Sequence, residues 1–276
     1  MSEIYTGSMS SSEQAQVRLG GMALRNGVLV QGPDHWAAAV RTPDGEIRMA
    51  SGRKPELPAP ALSVPGLRGV LRVAEAVYLL PLVRRRLPEA RLPMEGATTA
   101  GALAASLVLT RVLRAGRVRP LTAEVAGAGI SLLPALASLR SSQLARYHGA
   151  EHKAIGGYER GADAAEQSTE HERCGSHLVV PMLAATVAGN ALVSRLPAAR
   201  RGPARLAVSF AAVGIATETF GWIQRNRQSR VAQMMLRPGF ALQRSAATRE
   251  PTAEELEVAR TALDEVLRLE DSDGPP

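Results

Sequence analysis

The sequence predicts a mainly α-helical protein: about four Ala/Leu-rich helices, either membrane-embedded or buried, a small N-terminal β part and a C-terminal amphipathic helix. Hydrophobic residues make up 45% of the 276 residues, which is enough to bury a core, whereas aromatic residues make up only 3%. The apolar content is therefore mostly Ala, Leu and Val. This composition favours helices, because strand-rich proteins favour β-branched and aromatic residues.

The order of these elements divides the chain into five parts. We expect a disordered tail at 1–18, a small β-rich segment at 19–54, a Pro-rich linker and helix at 55–95, a helical membrane domain at 96–230, and a C-terminal loop with an amphipathic helix at 231–276. Residues 27–50 have the pattern of strands, and Asp44-Gly45 marks a hairpin because Gly tolerates the positive φ of a tight turn. The tail has no apolar core of a signal peptide.

Four apolar stretches suggest a membrane protein. They cover roughly 96–113, 121–139, 178–194 and 204–223. About 20 apolar residues span a bilayer, so these stretches are marginal, and buried helices of a soluble bundle remain the alternative. An even number of spans puts both termini on one side, and the modest Lys/Arg excess there predicts the cytoplasm.

The charge and the cysteine content limit the function classes. The net charge is +7, but the arginines flank apolar stretches, where they suit anionic lipid headgroups. We therefore expect membrane lipid as a partner and no nucleic acid, while a protein partner or substrate stays unassigned. The single cysteine, Cys174, excludes an intramolecular disulfide and a metal cluster made of cysteines alone.

The C-terminal segment predicts an amphipathic helix. Thr252 and Glu255 form a capping box after Pro251. The apolar face consists of Leu256, Ala259, Leu263, Val266 and Leu267. This helix is expected to pack on the rest of the protein.

A cluster of histidines points to a metal site. Four of the five histidines lie between 148 and 177, together with Cys174. The segment from His148 to His152 has the pattern H-x-x-E-H, which on a helix places both imidazoles on one face, one turn apart. Glu151 borders that face and has the place of a general base. His171 is a further candidate ligand, as is Cys174.

Other titratable residues have simpler interpretations. Glu218 interrupts the fourth apolar stretch and lies 66 residues after His152, which makes it a candidate ligand; an ion pair with an arginine is the alternative. The alternative for the pair His148 and Glu151 is an ordinary solvated helix surface, and the alternative for Cys174 is a small buried residue. His177 is expected to pack at an interface, and His35 to be solvated in a turn.

The sequence resembles the bacterial family called domain of unknown function 1385, the YqhQ-like proteins. Four segments carry the resemblance: LGGMALRNGVLVQGP with AVRTPDGEI, YHGAEHKAIGGYE, HERCGSHL, and RPGFALQRSAATREPTAEELEVARTAL. The resemblance implies a membrane-associated, metal-dependent protein with no established reaction. It implies site positions at His148, Glu151, His152, His171, Cys174 and Glu218. The N-terminal family pattern GGQAVxEGVMMRGP has Gln, Glu and Arg where this chain has Met22, Asn26 and Gln31.

These observations lead to two functional hypotheses. The first is a metal-dependent hydrolase that holds one divalent metal, with zinc the favoured ion, between His148, His152 and a third ligand, with Glu151 as the base. The alternative is a membrane scaffold or assembly factor whose site is closed by four ligands and is structural. Coordination number separates them, because a catalytic zinc keeps one position open.

Overall fold

A four-stranded antiparallel sheet forms the N-terminal part of the protein. The computed structural model describes residues 16–273 except 117 and 140, so residues 1–15 of the expected tail lie outside the described residues. Strands β1 (Gly20–Leu24), β2 (Gly27–Gln31), β3 (His35–Arg41) and β4 (Ile47–Arg53) pair in chain order. The Asp44-Gly45 hairpin joins β3 to β4, and Gly45 has the positive φ of 89° that its turn needs.

Ten α-helices follow within the described residues. They are α1 (Ala59–Leu62), α2 (Leu67–Arg86), α3 (Ala97–Ala115), α4 (Pro120–Ile130), α5 (Leu133–Leu139), α6 (Ser142–Arg160), α7 (Val179–Val193), α8 (Ala198–Arg225), α9 (Arg230–Leu242) and α10 (Ala253–Asp273). The mainly α prediction with a small N-terminal β part is confirmed.

The two central strands of the sheet, β2 and β3, are buried on both faces. Residues such as Val28 and Val30 on one face pack against α6 and α10. Leu29 and Trp36 on the other face pack against the C-terminal half of α2, around Leu79. The alternation of strand side chains therefore gives the sheet two apolar faces. Helix α6 packs against β1 and β2 of the sheet and against α10.

Helix α10 has the features that the sequence predicts. The Thr252 backbone N–H donates to the Glu255 carboxylate at 2.9 Å, and the Glu255 N–H donates to the Thr252 hydroxyl at 3.2 Å, which completes the capping box. The apolar face is buried on α6 and the sheet, with Leu267 partly buried at its end. The amphipathic pattern thus fixes one layer of the domain.

Three helical segments are long and apolar enough to cross a membrane. They cover Leu121–Leu139, Gly175–Val193 and Ala198–Arg225. The first contains both α4 and α5, with a break at residues 131–132. Helix α3, the other stretch expected to be membrane-embedded, falls short because Arg111 and Arg114 lower its hydropathy.

Two local expectations differ from the structure. The expected C-terminal loop is helical from 231 to 247, since α9 continues into a π-helical turn over Gln243–Ala247. His35 is buried instead of solvated. The reason is that α10 covers its turn: Glu270 accepts hydrogen bonds from the backbone N–H groups of His35 at 2.8 Å and Asp34 at 3.0 Å.

Candidate metal site

Helix α6 positions the two histidines of the H-x-x-E-H motif. The Ser141 hydroxyl caps the start of the helix by accepting from the Leu144 N–H, and Gly161 ends it in the left-handed region with φ 60°. His148 and His152 lie one turn apart with their ring centroids 4.4 Å from each other. The expected placement of both imidazoles on one helix face is confirmed.

Backbone carbonyls fix the orientation of both imidazoles. His148 Nδ1 lies 2.9 Å from the Ala247 carbonyl oxygen, and His152 Nδ1 lies 2.6 Å from the Thr169 carbonyl oxygen. A carbonyl oxygen can only accept, so each Nδ1 carries the hydrogen and each Nε2 of the neutral ring has a free lone pair. A histidine that binds metal through Nε2 is oriented by this kind of hydrogen bond.

Cys174 brings a third candidate ligand atom to the same point. Its Sγ lies 3.5 Å from His148 Nε2, and the ligand atoms of His148, His152 and Cys174 all lie within 4.8 Å of one another. A tetrahedral zinc ion with bonds of about 2.0 Å to nitrogen and about 2.3 Å to sulfur holds these two kinds of atom roughly 3.5 Å apart. The residues therefore fit a zinc ion.

The backbone around Cys174 fixes the position of its sulfur. Cys174 caps the 3₁₀ turn Gly175–Leu178, and its Sγ accepts from the Ser176 N–H at 3.5 Å. This hydrogen bond holds the Cys174 side chain with its Sγ facing His148 Nε2.

Glu151 lies beside these ligand atoms in a buried environment. Its Oε2 is 3.9 Å from His148 Nε2. Burial raises the pKa of the Glu151 carboxyl above its usual value, and the neighbouring His148 partly opposes this shift. Burial likewise lowers the pKa of His152, so its imidazole is held neutral, as metal binding requires.

Strand β1 closes this arrangement from the sheet side. Gly21 lies so close to the Glu151 carboxylate that an added Cβ would overlap it. Gly20, Gly21 and Gly175 help to line a cavity of about 70 Å³ that Glu151 and the ligand residues also line. The cavity has room for an ion and for little more than water.

His171 reaches the cavity but is turned toward other partners. Its ring centroid is 5.6 Å from that of His152. His171 Nε2 lies 3.0 Å from Glu159 Oε2, and its Nδ1 accepts from the Arg173 N–H at 3.2 Å. Burial lowers the pKa of His171. The side chain is therefore adjacent to the three ligand atoms without pointing a free nitrogen at their centre.

Glu159 is a site residue that the sequence analysis does not single out. It bonds to His171 and also forms an ion pair with Arg173. The helical spacing indicates this position, because Glu159 follows His152 by seven residues and so lies two turns further along the same helix face.

The structure does not bring Glu218 to this cluster. Its Oε1 accepts from the Gly66 N–H at 2.8 Å and from Arg68 Nε at 2.7 Å, and its Oε2 pairs with the same guanidinium. It does not line the cavity that holds the histidines. Of the two interpretations of Glu218, the ion pair with an arginine matches its contacts, and the partner is Arg68 of α2.

The remaining histidine and the family departures also lie outside the ligand set. His177 packs between Phe220 and Phe240, as expected for a packing residue. The three residues that depart from the N-terminal family pattern do not line the cavity. Met22 packs on the opposite face of the sheet, and Asn26 forms hydrogen bonds with the backbone of the 89–91 loop. Gln31 is the last residue of β2.

A family model and a known protein match this chain. The family model described as "Protein of unknown function (DUF1385)" matches residues 130–269, which include the whole ligand set. The chain is similar to "Uncharacterized protein YqhQ" of Bacillus subtilis (strain 168), with 28% identity over 296 aligned positions that cover 91% of this chain and 92% of the relative. No solved structure matches the chain significantly.

Proposed function

This chain belongs to the DUF1385 family, and from its geometry we propose that it is a membrane protein with a zinc-dependent hydrolase site. The observation that carries the proposal is the shared orientation of the two motif histidines. Both Nδ1 atoms are engaged by backbone carbonyls, which leaves both Nε2 atoms for a common centre with Cys174. Two imidazoles and one thiolate form a ligand set that suits zinc and leaves one of its four positions open.

The chemistry of the site follows from the neighbours of these ligands. His148, His152 and Cys174 would hold the ion, which supplies Lewis acidity when bound. Glu151 is not needed as a ligand, and its carboxylate can accept a proton from a water molecule in the cavity. The cavity volume of about 70 Å³ supports water as the nucleophile.

Exposed apolar helices support a location in the membrane. In each of the three candidate spans, between 67% and 83% of the most apolar 18-residue segment is not buried inside the protein. Large apolar side chains such as Leu107, Leu192 and Phe210 are exposed. Apolar surface of this extent on a folded protein indicates contact with lipid or with another protein.

We further propose that both termini lie in the cytoplasm. Helix α10 packs on the N-terminal sheet, which supports placing both ends of the chain on the same side. Helix α3, at 19 residues and about 28 Å, would supply the fourth pass that this arrangement needs. The Lys/Arg excess in the N- and C-terminal parts and in the 141–177 connection favours the cytoplasm for that side.

Metal analysis of detergent-purified full-length protein tests the zinc site. We expect about one zinc per chain by plasma mass spectrometry, and less than a tenth of that in His148→Ala and His152→Ala. His35→Ala is the control, because it removes a buried histidine outside the cluster. A wild-type protein without metal after expression in zinc-supplemented medium would contradict the proposal.

The hydrolase part has its own test. Glu151→Gln removes a base and no ligand, so it should keep the zinc and lower the hydrolysis of a p-nitrophenyl ester or an internally quenched peptide by about 10²–10⁴-fold. Glu166→Gln makes the same charge change on an exposed residue and should have no effect. Equal activity in the two variants would remove Glu151 from the mechanism.

A structural zinc site is the second candidate, favoured by the small size of the cavity. His171 lies beside the three ligands, and its ring needs only to turn from Glu159 to become the fourth. The site would then be closed, and the protein would be a membrane scaffold or assembly factor. In that case Glu151→Gln is silent, and Cys174→Ser loses both metal and stability.

A further inference from the structure

A second cavity lies at the opposite end of the helical bundle from the histidines. It has a volume of about 870 Å³ and is lined by α3, α4, α7 and α8. Asn190, which lines it, follows the start of α7 at Val179 by 11 residues, or roughly 16 Å along the helix. The cavity is thus separate from the metal site, which adjoins the other end of α7.

The cavity carries an excess of positive charge. Arg111, Arg114 and Arg205 line it. Glu124, on α4, is buried and accepts from Arg114 at 3.0 Å and from Arg205 at 2.8 Å. Among the described residues, Arg111 has no carboxylate partner. Three guanidinium groups against one carboxylate leave a net positive charge inside a segment of apolar helices, where an ionisable group is costly and indicates function.

Two buried polar atoms in this cavity lack a partner in the described part of the chain. They are Arg205 Nε, which is a donor, and Asn190 Oδ1, which is an acceptor. Asn190 itself is only 6% exposed. A buried polar atom without a hydrogen bond is unfavourable, so the pair favours a ligand that has both an anionic oxygen and a hydroxyl donor.

The rim of the cavity is apolar and exposed. Leu107 is 65% exposed and Leu206 is 61% exposed, and both line the cavity. A soluble anion makes no use of such a rim, whereas the acyl chains of a lipid cover it. The arginines, the unpaired acceptor and the rim therefore fit three parts of one molecule: a phosphate diester, a headgroup hydroxyl and a hydrocarbon tail.

We propose that this cavity binds the headgroup of an anionic glycerophospholipid that carries a free hydroxyl, as phosphatidylglycerol does. The phosphate contacts Arg111 and Arg205, and Glu124 positions Arg114 and Arg205. This inference rests on the proposed membrane location and is independent of the zinc site.

Titration calorimetry on the full-length protein in a zwitterionic detergent tests the proposal. The probes are phosphatidylglycerol with six-carbon chains, phosphatidylcholine with the same chains, and inorganic phosphate. We expect the phosphatidylglycerol to bind, and Arg111→Gln to weaken its binding about tenfold, as expected for the loss of one charge-assisted hydrogen bond. Arg200→Gln is the matched control, because Arg200 is an exposed arginine of the same bundle end that does not line the cavity.

Each outcome of this experiment decides the proposal. Binding of phosphatidylglycerol that is weakened by Arg111→Gln and not by Arg200→Gln supports it. Equal binding of inorganic phosphate identifies a site for a free phosphate group and overturns the lipid assignment. An equal loss of phosphatidylglycerol affinity in Arg111→Gln and Arg200→Gln shows an effect of general surface charge and overturns the site. Arg111→Lys, which keeps the charge and loses the planar donor pair, should retain intermediate affinity and guards against misfolding of the Gln variant. Unchanged zinc content in all variants shows that a failure here does not concern the metal site.

Discussion

Gly21 of strand β1 lies directly against the carboxylate of Glu151 on helix α6, in a space that no Cβ can share. These two residues are 130 positions apart in the chain. Their contact connects the sheet to the H-x-x-E-H helix. It also explains the glycine at residue 21 of the N-terminal Gly20-Gly21 pair, because a side chain there would displace Glu151, the proposed base.

Substitution by alanine should therefore be harmful at Gly21 and tolerated at Gly20. Gly21→Ala should lower the free energy of unfolding by roughly 1–3 kcal/mol, the usual cost of overpacking, and should lower hydrolytic activity, because the proposed base is displaced. Gly20→Ala is the control, because its Cβ would meet only the Gln31 side chain, at an ordinary distance of 3.5 Å. Thermal unfolding with parallel activity assays measures both effects. Equal tolerance of the two variants would show that Glu151 can move without cost.

The buried carboxyl of Glu151 should make the metal-free protein sensitive to pH. Its pKa is raised in the folded state, so the folded protein holds this proton more tightly than the unfolded chain. The resulting stability is present below the unfolded pKa of about 4.5 and is lost as the pH rises through the folded pKa.

Glutamine cannot ionise, so Glu151→Gln in the presence of a chelator should gain stability relative to the wild type as the pH rises from 5 to 8. Thermal unfolding at several pH values gives the comparison, with Glu166→Gln as the exposed control. A constant difference between variant and wild type at all pH values would mean that the carboxyl is not desolvated.

His171 separates the two candidate functions. Both of its ring nitrogens are engaged, by Glu159 and by the Arg173 N–H. The catalytic proposal predicts that His171→Gln keeps at least about half of the zinc, whereas His152→Gln loses it. Plasma mass spectrometry on the two purified variants makes this comparison. Loss of zinc from both variants to the same extent would establish His171 as a ligand and favour the structural site.

Membrane placement can be tested by fractionation and fusion. We expect the protein to remain with membranes in high salt and to be released only by detergent, since its apolar helices are exposed. Alkaline phosphatase fused to either end should be inactive, and a fluorescent protein fused to either end should be bright, as cytoplasmic termini require. Ends on opposite sides would imply an odd number of passes and would exclude α3 as a membrane-spanning helix.

The elements that the sequence predicts correctly depend on local spacing. The Thr252–Glu255 capping box and the pairing of His148 with His152 both lie within one helical turn. Strand β1 has no such signal, since two of its five residues are glycines. The partner of Glu218 could not be read from spacing either, because Arg68 lies 150 residues away and only the packing of α2 on α8 brings them together.

The hydrogen bond between His148 and the Ala247 carbonyl has a consequence for the biosynthesis of the protein. Residue 247 leaves the ribosome about a hundred residues after His148, when the apolar segments that precede it have already been made. Until then the carbonyl that orients the His148 ring is missing, so nascent chains that end before residue 247 lack part of the proposed metal site. Under the proposed function, zinc would therefore be acquired only after the apolar segments and the chain up to residue 247 have been made.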